Sequence, residues 1–276
     1  MIFEVFIMVL LIILGILLVI LGIYLLLIAP GRARDIAKFR NVKFAHRGLH
    51  NTRRAENSMS AFAAAADMGY GIELDVRLSS DGELVVYHDD GLERVAGQRG
   101  LVKDYTADEL GSMKLLNTED TIPRFSDVLK LINGRVPLLI EIKETTKDNS
   151  VSLALVDMLR GYNGEYIIES FNPLSLRTVR KNLPGATCGI LSHRYMKYEP
   201  YRKPLYFLLQ ALLFNRIANP AFVAYDHHHW SSVSLIAARI LGATTMAWTV
   251  RSEKEEKLAY KHGFDTIIFE NYIPKK

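Results

Sequence analysis

The chain has 276 residues, enough for a membrane segment and one large domain, with 34 basic and 30 acidic residues and a formal charge of +4. Its single cysteine, Cys188, excludes an internal disulfide and agrees with a reducing compartment; lying in the apolar stretch 186–191, it reads as a core residue. No nucleic-acid partner is expected, and no internal repeat or low-complexity tract is visible.

From Met1 to Pro30 nearly every residue is apolar, and Glu4 is the only charge. A helix of about 20 apolar residues crosses a bilayer core, so the run is long enough to span with some tilt. A cleaved signal peptide would begin with basic residues and carry a shorter apolar core, and a buried core helix seldom holds so long an unbroken apolar run. Residues 1–30 are therefore expected to be an uncleaved transmembrane anchor. The stretch 31–41 that follows is read as a basic juxtamembrane linker. Arg32, Arg34, Lys38, Arg40 and Lys43 lie behind the span and no side-chain cation lies ahead of it, so the positive-inside rule places the domain that follows on the cytoplasmic side. The same strip is suited to anionic lipid headgroups, or simply to solubility.

Beyond the linker, short β-branched runs alternate with helical patterns. Strands are expected over 42–46, 71–78, 84–88, 138–143, 166–170, 187–191, 221–226, 244–250 and 265–269. Helices are expected over 58–68, 125–132, 150–159, 173–181, 232–240 and 253–262. Roughly eight strand–helix units argue for a parallel sheet covered by helices, most simply a (β/α)8 TIM barrel over 42–274, with a doubly wound open sheet as the alternative. Residues 91–123 read as a small inserted subdomain. The stretch 194–220 also breaks the rhythm, and its apolar segment 206–214 either packs on the barrel or lies on the bilayer beside the barrel's mouth.

Short polar motifs close or follow these runs: His46-Arg47-Gly48, Glu56-Asn57, Glu73-Leu74-Asp75, His88-Asp89 and Glu141-Ile142-Lys143. Side chains alternate across a strand, so Glu73 and Asp75 share a face, as do Glu141 and Lys143. Three carboxylates converging at strand ends would repel one another unless a cation sat among them, and an all-oxygen set suits Mg²⁺ or Ca²⁺ over zinc. His46 and His88 are candidates for the two proton transfers of an in-line displacement at phosphorus. Arg47 and Lys143 would neutralise the non-bridging oxygens. The run Asp226-His227-His228-His229 reads as a polar loop, with a second metal or phosphate contact as the sharper possibility.

These motifs resemble those of the glycerophosphodiester phosphodiesterase family, with further matches at Ser58, Phe62, Val86, Leu92, Arg94, Gly100, Asp104, Thr106, Ile122-Pro123, Ser170-Phe171 and Trp248-Thr249-Val250. The resemblance covers nearly all of Asn41 to Pro274. It implies a barrel with a small insertion, a divalent metal held by Glu73, Asp75 and Glu141, an acid–base pair in His46 and His88, and phosphate ligands in Arg47 and Lys143. It further implies that Trp248 lies near the substrate. The family's closing pattern, Gly-x-Asp-Gly-Ile-Ile-Thr-Asp-x-Pro, departs here to Thr266, Phe269 and Glu270, and Arg251 stands where an amide or acid is common.

The expected activity is therefore metal-dependent hydrolysis of glycerophosphodiesters to glycerol 3-phosphate and an alcohol. Lysophospholipase D action on membrane lysophospholipids is the enzymatic alternative. A non-catalytic sensor of lipid headgroups is a third, and the intact set of histidines, carboxylates and cations argues against it.

Overall fold

The computed structural model describes residues 2–31, 35–144, 148–198 and 203–275. Eight parallel strands close on themselves: β1 (Phe44–Ala45), β2 (Gly71–Leu78), β4 (Leu138–Ile142), β5 (Tyr166–Ser170), β6 (Cys188–Ser192), β7 (Phe222–Asp226), β8 (Thr244–Val250) and β9 (Thr266–Phe269). Pairing of β1 with both β2 and β9 closes the ring. Helices outside the ring link successive strands, as the alternation of the sequence predicts, and the fold is a TIM barrel.

One expected strand takes a different place. β3 (Leu84–Val86) is not a stave of the barrel; it folds back antiparallel on the end of β2, pairing Val76 with Val86 and Leu78 with Leu84. The turn between them contains Asp81-Gly82, with Gly82 at φ +82°, a conformation glycine adopts without steric cost. That dipeptide is a hairpin signal, and the period-2 reading of 84–88 alone did not distinguish a hairpin arm from another parallel strand.

Alternation along the strands sorts the side chains. Ile72, Leu74 and Val76 point outward into the large core shared with the helices. The inward rows are apolar at the strand starts, where Phe44, Leu139, Ile167, Phe222 and Met246 pack together. Two residues further along, the same rows carry His46, Glu141, Glu169 and Trp248. The C-terminal face of the barrel is thus polar above an apolar plug.

The stretch 91–123 contains short helices, Glu93–Ala96 and Ala107–Ser112, and has a small core of its own, in which Leu92, Val95, Val102, Leu110 and Ile122 pack with Val85 and Tyr87. Within the stretch read as a basic juxtamembrane linker, Ile36 and Phe39 are buried in the interior cluster. Lys38 pairs with Glu165, Arg40 with Asp265, and Lys43 with Glu256, so this part of the basic strip lies against the N-terminal face. Arg32 and Arg34 lie outside the described residues.

The N-terminal helix, Ile2–Ile28, is 27 residues long, and among the described residues it is the one helix long and apolar enough to cross a membrane. Only its end touches the barrel. The Ile28 carbonyl accepts from the Asn215 amide (2.9 Å), and Gly31 N–H donates to the Pro220 carbonyl (2.6 Å) just ahead of β7. Cys188 is buried in the core.

Candidate active site

A cavity of about 190 Å³ opens at the C-terminal face, lined by His46, Arg47, Glu73, His88, Glu141 and Lys143 on one side and by Phe171 and Trp248 on the other. Seven of the eight residues singled out in the sequence line it directly. Asp75 lies just beneath, with Oδ1 3.1 Å from Lys143 Nζ.

The carboxylates come from neighbouring strands in register, with Asp75 of β2 level with Glu141 of β4. Glu73, Asp75 and Glu141 are all buried, and each offers an oxygen within 4.8 Å of the others. Burial raises the Glu141 carboxyl to about 7, although Lys143 at 2.7 Å opposes the shift. Glu73 is also raised, first by burial and then by the charges of Asp75, Glu141 and Glu169. Asp75 goes the other way: burial is outweighed by Lys143, Arg47 and a 2.7 Å hydrogen bond from the Asn57 amide.

A fourth carboxylate, Glu169 on β5, was not picked out from the sequence. It lines the cavity fully buried, and its Oε2 makes no hydrogen bond among the described residues. Its signal was available, since a glutamate inside the buried run Tyr166–Ser170 needs a reason to be there. Against four buried carboxylates stand Arg47 and Lys143; Arg47 is already engaged with Glu56 at 2.6 Å, and the third cation lining the cavity, Arg251, is paired with Glu270. Buried oxygens of like charge, short of compensating cations, form a donor set that fits a hard divalent ion.

Each histidine is held at Nδ1 by a carboxylate. Glu270 Oε2 lies 2.6 Å from His46 Nδ1, and Asp89 Oδ1 lies 2.6 Å from His88 Nδ1. Such contacts fix the ring and turn Nε2 toward the cavity, that of His46 standing 4.0 Å from Glu73 Oε2. Burial lowers both imidazoles, His88 to about 4. The holders are themselves held: Arg251 Nε donates to Glu270 at 2.6 Å, while Arg94, from the inserted stretch, bridges Asp89 and Glu56. The two departures from the family pattern, Arg251 and Glu270, therefore form one ion pair behind His46.

Arg47 takes φ +54°, and its backbone N–H donates to Glu73 Oε2 at 2.8 Å. This bend turns the chain just after β1 so that both His46 and Arg47 face the cavity. The triple-histidine run forms a short 3-10 turn after β7. Asp226 accepts from His228 and His229 (3.0 Å each), and His227 and His228 come close to Glu255. None of these residues lines the cavity.

Comparison with known proteins identifies relatives of this chain in sequence and in fold. The model of the Glycerophosphoryl diester phosphodiesterase family matches residues 46–273. A glycerophosphodiester phosphodiesterase of Caldanaerobacter subterraneus subsp. tengcongensis is 30% identical over 83% of this chain and 93% of its own length. One from Bacillus altitudinis is 44% identical over 54% of this chain and 65% of its own. Among solved structures, an Oleispira antarctica phosphodiesterase in complex with the product sn-glycerol-3-phosphate superposes with a TM-score of 0.68 at 21% identity, covering 84% of this chain and 94% of that one.

Proposed function

The chain belongs to the glycerophosphoryl diester phosphodiesterase family, and on that premise we propose that it hydrolyses glycerophosphodiesters to glycerol 3-phosphate and an alcohol by a histidine pair at a divalent-metal site. The observation that carries the reading is the convergence of His46, His88, Arg47, Lys143 and the buried carboxylates on one cavity at the C-terminal end of the barrel.

Glu73, Asp75 and Glu141 would hold Ca²⁺ or Mg²⁺, which when bound supplies positive charge to the phosphoryl oxygens. The chain's own groups do the remainder. Arg47 and Lys143 bind the non-bridging oxygens, and Phe171 and Trp248, in edge contact at 5.7 Å, form the apolar wall against the glycerol backbone. The vicinal hydroxyl of the substrate attacks phosphorus; one histidine takes its proton at Nε2 while the other protonates the departing alcohol oxygen. Water then opens the cyclic phosphate with the two roles exchanged. Glu270 and Asp89 hold the rings on line through both halves.

The helix Ile2–Ile28 is proposed as a retained anchor with the barrel on the cytoplasmic side. Docking of its end on Asn215 and Pro220 fits a segment that stays with the folded domain, and Lys38, Arg40 and Lys43 follow it. N-terminal sequencing of membrane-extracted protein tests retention: an intact Met1 or Ile2 supports it, and a new terminus beyond Ile28 overturns it.

For the chemistry, His46→Ala and His88→Ala should each lose most of their turnover on glycerophosphoglycerol while metal binding, followed by calorimetry, survives. A variant that kept near-wild-type turnover would remove its histidine from the proton-transfer pair.

A further inference from the structure

The N-terminal helix leaves the barrel at its C-terminal face. Its last residues run from the C-terminal face to the N-terminal face. Tyr24 shares a cleft with Phe207, Gln210, Ser231 and Val233, beside the strand ends that carry Arg194 and His228, whereas Gly31 reaches Pro220 just ahead of β7. Residues 2–23 therefore project beyond the C-terminal face, the face that carries the active site. At 1.5 Å per residue they reach about 33 Å, close to the thickness of a bilayer core.

The segment beside the helix is built for an interface. The helix Pro204–Gln210 buries none of its residues fully, and Leu205 and Phe207 are 49% and 55% exposed. Lys203 stands over the Tyr206 ring and Lys197 over the Tyr198 ring, and in sequence 193–214 carry four cations, Arg194, Lys197, Arg202 and Lys203, against one acid, Glu199. Exposed apolar groups, amphipathic aromatic rings and an excess of cations are what the headgroup region of an anionic bilayer accommodates.

From this segment a continuous line of rings leads to the catalytic cavity. Tyr206 stacks on Tyr195 (5.8 Å), Tyr195 meets His193 at a tilt (4.1 Å), and His193 meets both Phe171 (5.9 Å) and Trp248 (6.2 Å). We propose that the catalytic mouth faces the bilayer, that the rim segment carrying Leu205 and Phe207 sits in the headgroup layer, and that the aromatic line receives the acyl chain of a lysophospholipid drawn from the membrane. The substrate part of this inference rests on the phosphodiesterase reading of the site, whereas the orientation does not.

The test uses the full chain in phosphatidylglycerol vesicles. Leu205→Cys and Glu165→Cys, the latter at the opposite end of the barrel ahead of β5, are labelled with an environment-sensitive dye; Cys188 is buried, and unsubstituted protein gives the background. Lipid brominated in its acyl chains should quench the dye at 205 and leave the dye at 165 unchanged. No quenching at 205, including a dye shielded by a second copy of the chain, overturns the orientation. In parallel, Phe207→Asp should lower turnover of vesicle-embedded lysophosphatidylglycerol by about tenfold. Its turnover of soluble glycerophosphoglycerol should stay within about twofold. Equal loss on both substrates, or on neither, overturns the membrane route. If the unsubstituted protein hydrolyses neither substrate, the phosphodiesterase reading and the substrate claim fall together, and the quenching still decides the orientation.

Discussion

Replacing Glu270 by glutamine removes the charge behind His46 while keeping the shape of the side chain. The carboxylate lies 2.6 Å from His46 Nδ1 in a partly buried contact, and a hydrogen bond to a charged group of this kind contributes about 1.5–3 kcal/mol. If that interaction strengthens as the ring takes up a proton during turnover, its loss lowers kcat by roughly 10- to 150-fold. Arg251, about half exposed, is left to water at little cost, so the fold should hold. The sign of the pH effect is also fixed. Burial lowers the His46 imidazole and Glu270 raises it, so Glu270→Gln should move the His46 limb of the pH–rate profile to lower pH. The assay is release of glycerol 3-phosphate from glycerophosphoglycerol across pH 5–9, with metal affinity measured alongside. A kcat within about twofold of wild type and an unmoved limb would refute the assignment of Glu270 as the residue that positions His46.

Other consequences are equally open to measurement. Glu73→Ala should weaken Ca²⁺ or Mg²⁺ affinity in a calorimetric titration and regain part of its turnover at excess metal; unchanged affinity with no rescue would take Glu73 out of the ligand set. A methyl group at Gly189 would lie 2.1 Å from the buried Phe222 ring, so Gly189→Ala should cost about 1–3 kcal/mol. That corresponds to a fall of roughly 3–10 °C in Tm by scanning calorimetry, and an unchanged Tm would contradict the packing inside the barrel. His88, lowered to about 4 by burial, stays neutral in the fold at pH values where the unfolded chain takes up a proton. Its contribution to stability is therefore complete above about pH 6.5 and is lost as pH falls toward 4. Denaturant midpoints of His88→Asn should fall less steeply than wild type over that window, and parallel curves would count against the shift.

Much of the site was legible because a parallel barrel strand writes it in alternate letters. In Glu73-Leu74-Asp75 and Glu141-Ile142-Lys143, charged residues flank one apolar residue, and only a strand whose two faces meet different surroundings makes sense of that pattern. The whole barrel followed from the same alternation, apart from β3, where the hairpin signal at Asp81-Gly82 was the better guide. The support behind the histidines was harder to read. Asp89 is adjacent to His88, but Glu270 is 224 residues from His46, and closure of β9 onto β1 is what joins them. Glu270 and Arg251 registered only as departures from a family pattern, because a pairwise contact between distant strands leaves no local periodicity. Glu169 was passed over since a single charged residue in an apolar run has no partner in the sequence to mark it. The course of the N-terminal helix along the barrel wall is likewise a tertiary fact. The run of apolar residues gives its length, while the contacts of Tyr24 and Gly31 give its direction.

The central claim is that this cavity cleaves glycerophosphodiesters with a divalent ion. Purified full-length protein, stripped with EDTA and then supplied with Ca²⁺ or Mg²⁺, should release glycerol 3-phosphate from glycerophosphoglycerol only after metal is restored. Release that is indifferent to EDTA would contradict the role of Glu73, Asp75 and Glu141, and no release with either ion would contradict the assignment of the site itself.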